Sequence, residues 1–393
     1  MTTVELRLER VAHGGYVVGH ADGKVLFVTG GLPGELVLAE VTETGSRFDR
    51  AKVVRVLEPS AGRVAPPCPV ADRCGGCDWQ HADQATQLAL KGAVVAEQLE
   101  RLAGIAWGGE VEAAPGGLTG WRTRVRYAVD GAGRVGFRGR RSHEVVPLPP
   151  EGCLIAAPHD VPKAAACATP GSEVIVAIGD DGASVVGGRG RSGPDPASQT
   201  VLGRRFEVGA QGFWQVHALA AETLTRAVLD GLRPQPGEWA LDLYCGVGLF
   251  AGALVDAGCS VFGAEFGRAA VRQARLNVPE ARFVAADLSK NLSALPAAAD
   301  IVVLDPPRKG AGEKAVRAVA NMAPRAVAYV ACDPAALARD LAFFAKEDYA
   351  PSSIRAFDLF PMTHHVECVA VLTRSDADSL VRLSGGAFPQ DRP

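Results

Sequence analysis

At 393 residues, with 48% hydrophobic and 22% charged side chains and a net charge of −3, the chain excludes an intrinsically disordered protein and fits two or three globular domains. No apolar run approaches the roughly 20 residues that cross a bilayer, and the charged, alternating start MTTVELRLERVAHGG is not a secretory leader, so a cytoplasmic location with no membrane partner is expected. Nine cysteines in that compartment point to metal binding or catalysis before disulfides.

Residues 1–58 read as a small β-barrel. Val4 to Arg10 alternates with period two, and short apolar runs follow at Tyr16–Val18, Val25–Val28, Glu35–Leu38 and Ala51–Val56. Gly14-Gly15, Asp22-Gly23, Gly30-Gly31 and Pro33-Gly34 punctuate them as turns. The run HGGYVVGHADGKVLFVTGGLPGELV resembles the TRAM domain, an OB-like RNA-binding module carried by RNA-modifying enzymes. The segment is near neutral, so RNA contact there would rest on local groups such as Arg47, Arg50 and Lys52.

A central domain is expected over 59–200. It opens on Cys68, Cys74 and Cys77, a C-x5-C-x2-C spacing with glycines that permit tight turns, which is metal-ligand spacing. Structural zinc sites usually pair C-x2-C with a second C-x2-C or with histidines, and no second pair follows, so zinc stays open but a distant fourth cysteine fits an iron–sulfur cluster better. Cys153 is the first candidate for that ligand and Cys167 the second. The pattern resembles the [4Fe-4S] motif of uracil-5 RNA methyltransferases, which implies Cys153. Residues 84–102 read as an amphipathic helix with Leu88, Val95, Leu99 and Leu102 on its apolar side, packed against the cysteine segment. The stretch 120–141 reads as a β-hairpin with seven arginines against one acid, Asp130. That is a solvated strand face or a focused basic patch suited to a phosphate backbone. Gly-rich β-structure then leads to a linker near 190–200.

From residue 201 to 375, strands and helices alternate. A helix over 216–232 precedes strands at 239–244, 260–265, 282–287, 301–305, 326–332, 353–359 and 366–373. This predicts an α/β, doubly wound Rossmann-like sheet. The tail 376–393 is polar and expected to be disordered.

Ligands of such sheets sit at the carboxyl ends of the strands. Asp242-Leu243-Tyr244-Cys245-Gly246-Val247-Gly248 places glycines at the first turn, Glu265 ends the second strand where an acid can take a ribose diol, and Asp287 ends the third. This set is closer to an S-adenosylmethionine site than to a nicotinamide site, although Asp242 is equally read as a helix cap and Glu265 as a surface acid. Asp305-Pro306-Pro307-Arg308 stands where amino-methyltransferases carry Asn-Pro-Pro-aromatic, which argues against amine methylation. Carbon 5 of uracil is a poor nucleophile unless a thiolate first adds to C6, and a base must later remove the C5 proton. Cys332, at the end of the fifth strand, is the nucleophile candidate. Glu367, in the seventh strand that lies beside the fifth in this fold, is the base candidate, since a carboxylate in an apolar strand is costly without a role. Cys167, Cys245, Cys259 and Cys368 read as small buried hydrophobes.

The ordered motifs FWQVH, LDLYCGVG, DPPRKG, VACDPAALARDL and HHVECVAVL resemble the class I RNA uracil-5 methyltransferase family across the catalytic half. The resemblance implies S-adenosylmethionine contacts at Gln215, Tyr244, Glu265 and Asp305, with Asp287 beside them, and supports Cys332 as nucleophile and Glu367 as proton acceptor. His217 and Leu249 depart from the family pattern. The implied activity is 5-methyluridine formation in RNA by a monomer, with 23S rRNA preferred to tRNA because the barrel and cysteine motif are absent from the tRNA branch of many bacteria. Alternatives are a tRNA enzyme of the same chemistry, an RNA-binding or chaperone protein with incidental activity, and a 5-methylcytidine enzyme.

Overall fold

The computed structural model describes residues 2–374, so the tail expected over 376–393 lies outside them. Strands β1 (Thr3–Ala12), β2 (Tyr16–Ala21), β3 (Lys24–Thr29), β4 (Leu36–Thr44) and β5 (Phe48–Glu58) close into a barrel in the order β1-β2-β3-β5-β4. Alternation in β1 turns Leu6 and Leu8 inward against Val17, Leu26 and Val28. Strand β5 begins three residues earlier than its apolar run, because Phe48 to Arg50 are held by parallel pairing with β3, which hydropathy does not register.

Helix α1 (Gln84–Ala103) starts where the Asp83 side chain accepts from Thr86 N at 2.8 Å and stops at Gly104, whose φ of 67° is left-handed. One flank, Leu90 and Val94, meets Trp79 and Ala82 behind the cysteines and Val11 and Leu32 of the barrel. The other, Val95 and Leu99, joins the core beneath the catalytic sheet, whereas Leu102 stays 36% exposed. The helix therefore serves three regions, not the cysteine segment alone. Strand β6 (Val111–Ala113) follows and pairs in parallel with a strand of the catalytic domain, so the segment 84–113 is structurally part of that sheet.

The central sheet is built from β7 (Arg124–Val129), β8 (Val135–Arg138), β9 (Val145–Pro147), then, after α2 (Val161–Ala166), β10 (Glu173–Gly179), β11 (Gly182–Gly187) and β12 (Gly190–Ser192), in the order β12-β11-β10-β7-β8-β9. The expected hairpin is β7–β8. Where a linker is expected near 190–200, the chain instead forms β12 and a hairpin of β13 (Ala197–Val201) and β14 (Arg204–Val208), with Ala197 and Ser198 fully buried. Polar, Gly-rich composition concealed this because the pairing, not side-chain hydropathy, defines these strands.

The catalytic domain runs α3 (Ala220–Leu232), β15 (Trp239–Leu243), α4 (Leu249–Asp256), β16 (Ser260–Glu265), α5 (Arg268–Asn277), β17 (Arg282–Ala285), β18 (Ile301–Leu304), α6 (Glu313–Asn321), β19 (Ala326–Ala331), α7 (Pro334–Ala345), β20 (Tyr349–Asp358) and β21 (Glu367–Arg374). Its eight-stranded sheet has the order β17-β16-β15-β18-β19-β21-β20-β6. Strands β15 to β19 are mutually parallel, and β21 runs antiparallel between β19 and β20. The strand order reverses between β15 and β18, the switch point at which such sheets open a crevice. Because β21 is antiparallel, its first residue lies at the same rim as the last residues of its parallel neighbours. Among the described residues no helix is long and apolar enough to cross a membrane.

Candidate active site

A pocket of about 1600 Å³ opens at that rim, and all seven catalytic and cofactor candidates line it: Gln215, Tyr244, Glu265, Asp287, Asp305, Cys332 and Glu367. At the first turn, Tyr244 takes φ 64° and Gly246 and Gly248 take 53° and 93°, so the chain folds back sharply before α4. Glu265 spans this turn, accepting from Gly246 N at 3.2 Å and Gly267 N at 2.7 Å. Asp287 lies two residues beyond β17, not at its end, where it accepts from the Ser289 amide and hydroxyl. Those bonds, with Lys290 nearby, hold its carboxyl below the ordinary range. Asp242 does not line the pocket. It is fully buried, accepts from Ala251 N at 2.8 Å and so caps α4, and burial lifts its carboxyl to about 8. The capping alternative for Asp242 is the one the structure adopts.

Cys332 and Glu367 are brought together by strand register. Strands β19 and β21 pair as Ala326↔Thr373 through Ala331↔Cys368. The next position outward places Cys332 opposite Glu367, although 34 intervening residues separate them in the sequence. Glu367 is 5% exposed, and burial, with the Asp305 carboxylate adding, raises its carboxyl well above the ordinary value while Arg308 opposes the shift. Asp305 is lifted to about 7 by burial and by Glu265. Burial also pushes the Cys332 thiol up to about 12, with Glu367 adding and Arg308 pulling down. The arrangement thus sets a thiol, a carboxyl of raised proton affinity and the Arg308 guanidinium around one space.

Cys68, Cys74, Cys77 and Cys153 line a second cavity, of about 30 Å³, together with apolar Leu148, Leu154 and Ile155. Burial raises the thiols of Cys74, Cys77 (to about 12) and Cys153. Among the described residues no three His, Cys, Asp or Glu side chains are placed to hold a metal ion. The four thiols come from two segments distant in the sequence and line this one small, largely apolar cavity. Cys167, the second candidate, is buried in the central core instead and packs beside Ala164 and Ala168.

The arginine-rich hairpin is not a free basic patch. Arg126 pairs with Glu173 at 2.8 Å, Arg134 with Asp130 at 2.7 Å and Arg140 with Asp78 at 2.7 Å. Arg124 is 8% exposed and donates to the carbonyls of Gly209, Ala210 and Gly212 at 3.2, 3.1 and 2.8 Å, holding the loop that leads to Gln215. Local counting of charge registered Asp130 but failed for Arg126 and Arg140, whose partners Glu173 and Asp78 are distant in sequence. His217, a departure from the family pattern, is 3% exposed, stacks on Trp121 with ring centroids 5.7 Å apart and stays outside the pocket. Leu249, the other departure, lines it.

Sequence reasoning missed several groups in or beside the pocket. Phe213 and Phe266 are 70% and 72% exposed and face the pocket. Arg308 donates to His365 at 3.0 Å, and burial, with His364 and Arg308 adding, drives His365 down to about 3, leaving it neutral. His13 of the barrel lies 3.1 Å from Asp333, next to Cys332. Arg308 and His365 stand inside the recognised motifs DPPRKG and HHVECVAVL but were given no role, and no signal pointed to His13.

Residues 292–375 match the family described as tRNA (Uracil-5-)-methyltransferase. The chain is 46% identical to an uncharacterized RNA methyltransferase of Streptomyces avermitilis, over 94% of this chain and 97% of that protein. It is 36% identical to an uncharacterized RNA methyltransferase of Corynebacterium efficiens, over 95% of this chain and 96% of that protein. In structure it is similar to the Pyrococcus abyssi tRNA (uracil-54, C5)-methyltransferase solved with S-adenosyl-L-homocysteine, with a TM-score of 0.73 at 22% identity, over 94% of this chain and 99% of that one. That likeness extends the fold from the catalytic domain to the barrel.

Proposed function

The chain belongs to a family of RNA methyltransferases, and, because residues 292–375 match the tRNA (Uracil-5-)-methyltransferase model, we propose that it methylates carbon 5 of a uridine in RNA through a covalent adduct on Cys332. The observation that carries this reading is the β19–β21 register, which sets Cys332 opposite Glu367 in the pocket that also holds Glu265 and Asp305. S-adenosylmethionine, when bound, supplies an electrophilic methyl group. Gln215, Tyr244, Glu265, Asp287 and Asp305 would hold it at the switch point. The Cys332 thiol loses its proton to water and its sulfur bonds to C6, moving the ring electrons onto C5 and O4. Arg308 is the cation that favours both the thiolate and that enolate. After C5 has taken the methyl group, Glu367 takes the C5 proton, the C5–C6 double bond returns and the Cys332 sulfur leaves. A carboxylate with a raised proton affinity suits that step.

Cys68, Cys74, Cys77 and Cys153 would hold a [4Fe-4S] cluster. The reaction contains no electron transfer, so its role is structural. The β1–β5 barrel reads as a TRAM module presenting RNA to the pocket. The barrel and the four-cysteine cavity together favour 23S rRNA. Transfer RNA is the second reading, favoured by the description of the matched family. Mapping 5-methyluridine in total RNA with and without the gene separates the two. Cys332→Ala is expected to abolish methylation, and RNA methylation that survives it overturns the covalent mechanism. Anaerobically purified protein is expected to carry about four irons and to absorb broadly near about 400 nm. Colourless protein with one zinc overturns the cluster.

A further inference from the structure

The residues that lead into Glu367 are held from outside the catalytic domain. Asp78 N and Trp79 N both donate to the Met362 carbonyl, at 2.9 and 3.0 Å. Met362 N donates to Gln87 Oε1 of α1 at 2.7 Å. The Asp78 carboxylate is shared: Oδ2 accepts from His364 Nδ1 at 2.6 Å and from His364 N at 3.3 Å, and Oδ1 accepts from Arg140 Nη1 at 2.7 Å. Arg140 Nη2 returns to the Cys77 carbonyl at 2.6 Å. On its other side the His364 ring abuts the barrel turn, where a Cβ placed on Gly15 would come within 3.0 Å of His364 Cβ.

This anchoring opposes a conformational cost. Met362 is 4% exposed and adopts φ 67°, a left-handed conformation that is strained outside glycine and persists only where surroundings over-determine it. The three backbone bonds to Asp78, Trp79 and Gln87 over-determine it here. Three residues past the Asp78–His364 contact, Glu367 begins β21. Any slip of the loop therefore displaces the carboxylate that faces Cys332, and a displacement of about 1 Å is enough to cost on the order of a hundredfold in rate.

We propose that Asp78, immediately after the third cysteine of the motif, is a positioning residue for proton removal: through His364 it fixes where Glu367 stands against the base. The inference rests on the covalent reading given above, and it supplies the cysteine segment with a function in the reaction that needs no electron transfer. Binding of a cluster at Cys77 would order the same turn from which Asp78 projects.

The test uses full-length Asp78→Ala and His364→Ala proteins with RNA labelled with tritium at C5 of uridine. Both variants are expected to keep wild-type iron content and S-adenosylmethionine affinity, to release tritium at least tenfold more slowly, and to accumulate RNA–protein adduct on denaturing gels. Asp78→Asn, which retains an acceptor toward His364, is expected to recover part of the rate. If Asp78→Ala loses iron, His364→Ala, which alters no residue of the cysteine segment, decides the matter. Tritium release within twofold of wild type in His364→Ala overturns the inference, as does an equal loss of methyl transfer and proton release without adduct. Wild-type protein that methylates without releasing tritium through an adduct overturns the covalent reading and this inference with it. Normal wild-type behaviour with unaffected variants overturns this inference alone.

Discussion

Lys91 offers a quantitative test of how α1 is fastened to the catalytic sheet. Its ammonium meets Asp358 Oδ1 at 2.5 Å and donates to the Phe360 carbonyl at 3.1 Å, and the two side chains are 0% and 1% exposed. Lys91→Met keeps the length of the side chain and removes only the charge. Asp358 then retains one donor, Phe360 N at 3.2 Å, and its charge is otherwise uncompensated. Breaking a buried pair from one side costs about 3–5 kcal/mol, whereas replacing both partners by apolar groups is neutral or stabilising. At about 1.4 kcal/mol per tenfold, native-state hydrogen exchange should show amide protection in α1 and β20 falling by roughly two to three and a half decades in Lys91→Met. In Lys91→Met/Asp358→Leu protection should return to within a decade of wild type. Protection unchanged in the single variant, or equally lost in the double, would refute the assignment of this pair as a buried, mutually compensating fastening.

Glu367→Gln should lower turnover about 10²- to 10⁴-fold, the usual contribution of a general base, and trap RNA on Cys332, seen as a slow-migrating band on a denaturing gel. The wild-type rate should rise with pH, because Glu367 must be ionised to accept a proton and its proton affinity is raised, and because the Cys332 thiol is pushed up to about 12. A rate that falls as pH rises from 6 to 9 (approximate test range) would contradict both assignments. Arg124→Met removes a charged donor from three carbonyls. At about 1.5–3 kcal/mol for such bonds, it should weaken S-adenosylmethionine binding about ten- to a hundredfold in calorimetry through the Gly209–Gln215 loop. Gly310→Ala should lower the apparent melting temperature and slow turnover. Gly310 has φ 86° and an added Cβ would lie 2.6 Å from Asp340 Oδ2, a carboxylate that already accepts from Ala311 N and Gly312 N.

The catalytic domain was legible in the sequence because its strands are continuous apolar runs with helices of 3.6 periodicity between them, and buried parallel sheets enforce both patterns. The site residues were legible for a related reason. Ligands of such a sheet sit at strand ends, so Glu265, Asp305 and Cys332 are found by locating the ends. Errors fell where pairing or distant charge decides the outcome. Strand β6, the β13–β14 hairpin and the early start of β5 are defined by neighbours, not by hydropathy. The arginines of 122–141 looked like one basic surface because partners such as Glu173 of Arg126 and Asp78 of Arg140 lie 47 and 62 residues away in the sequence.

By itself the sequence determined the identity and order of the chemical groups: a thiol at a strand end, a carboxylate in an apolar strand, three closely spaced cysteines and a glycine turn. These are local properties of residue type and spacing. Only the tertiary structure decided that Cys332 and Glu367 face one another, that Asp242 caps a helix while Asp305 lines the pocket, and that Asp78 grips the loop before Glu367. The first depends on strand register and the last on a contact between segments 286 residues apart, neither of which any single window of the chain encodes, while the Asp242 contact spans only nine residues but needed the folded turn to choose between two local readings.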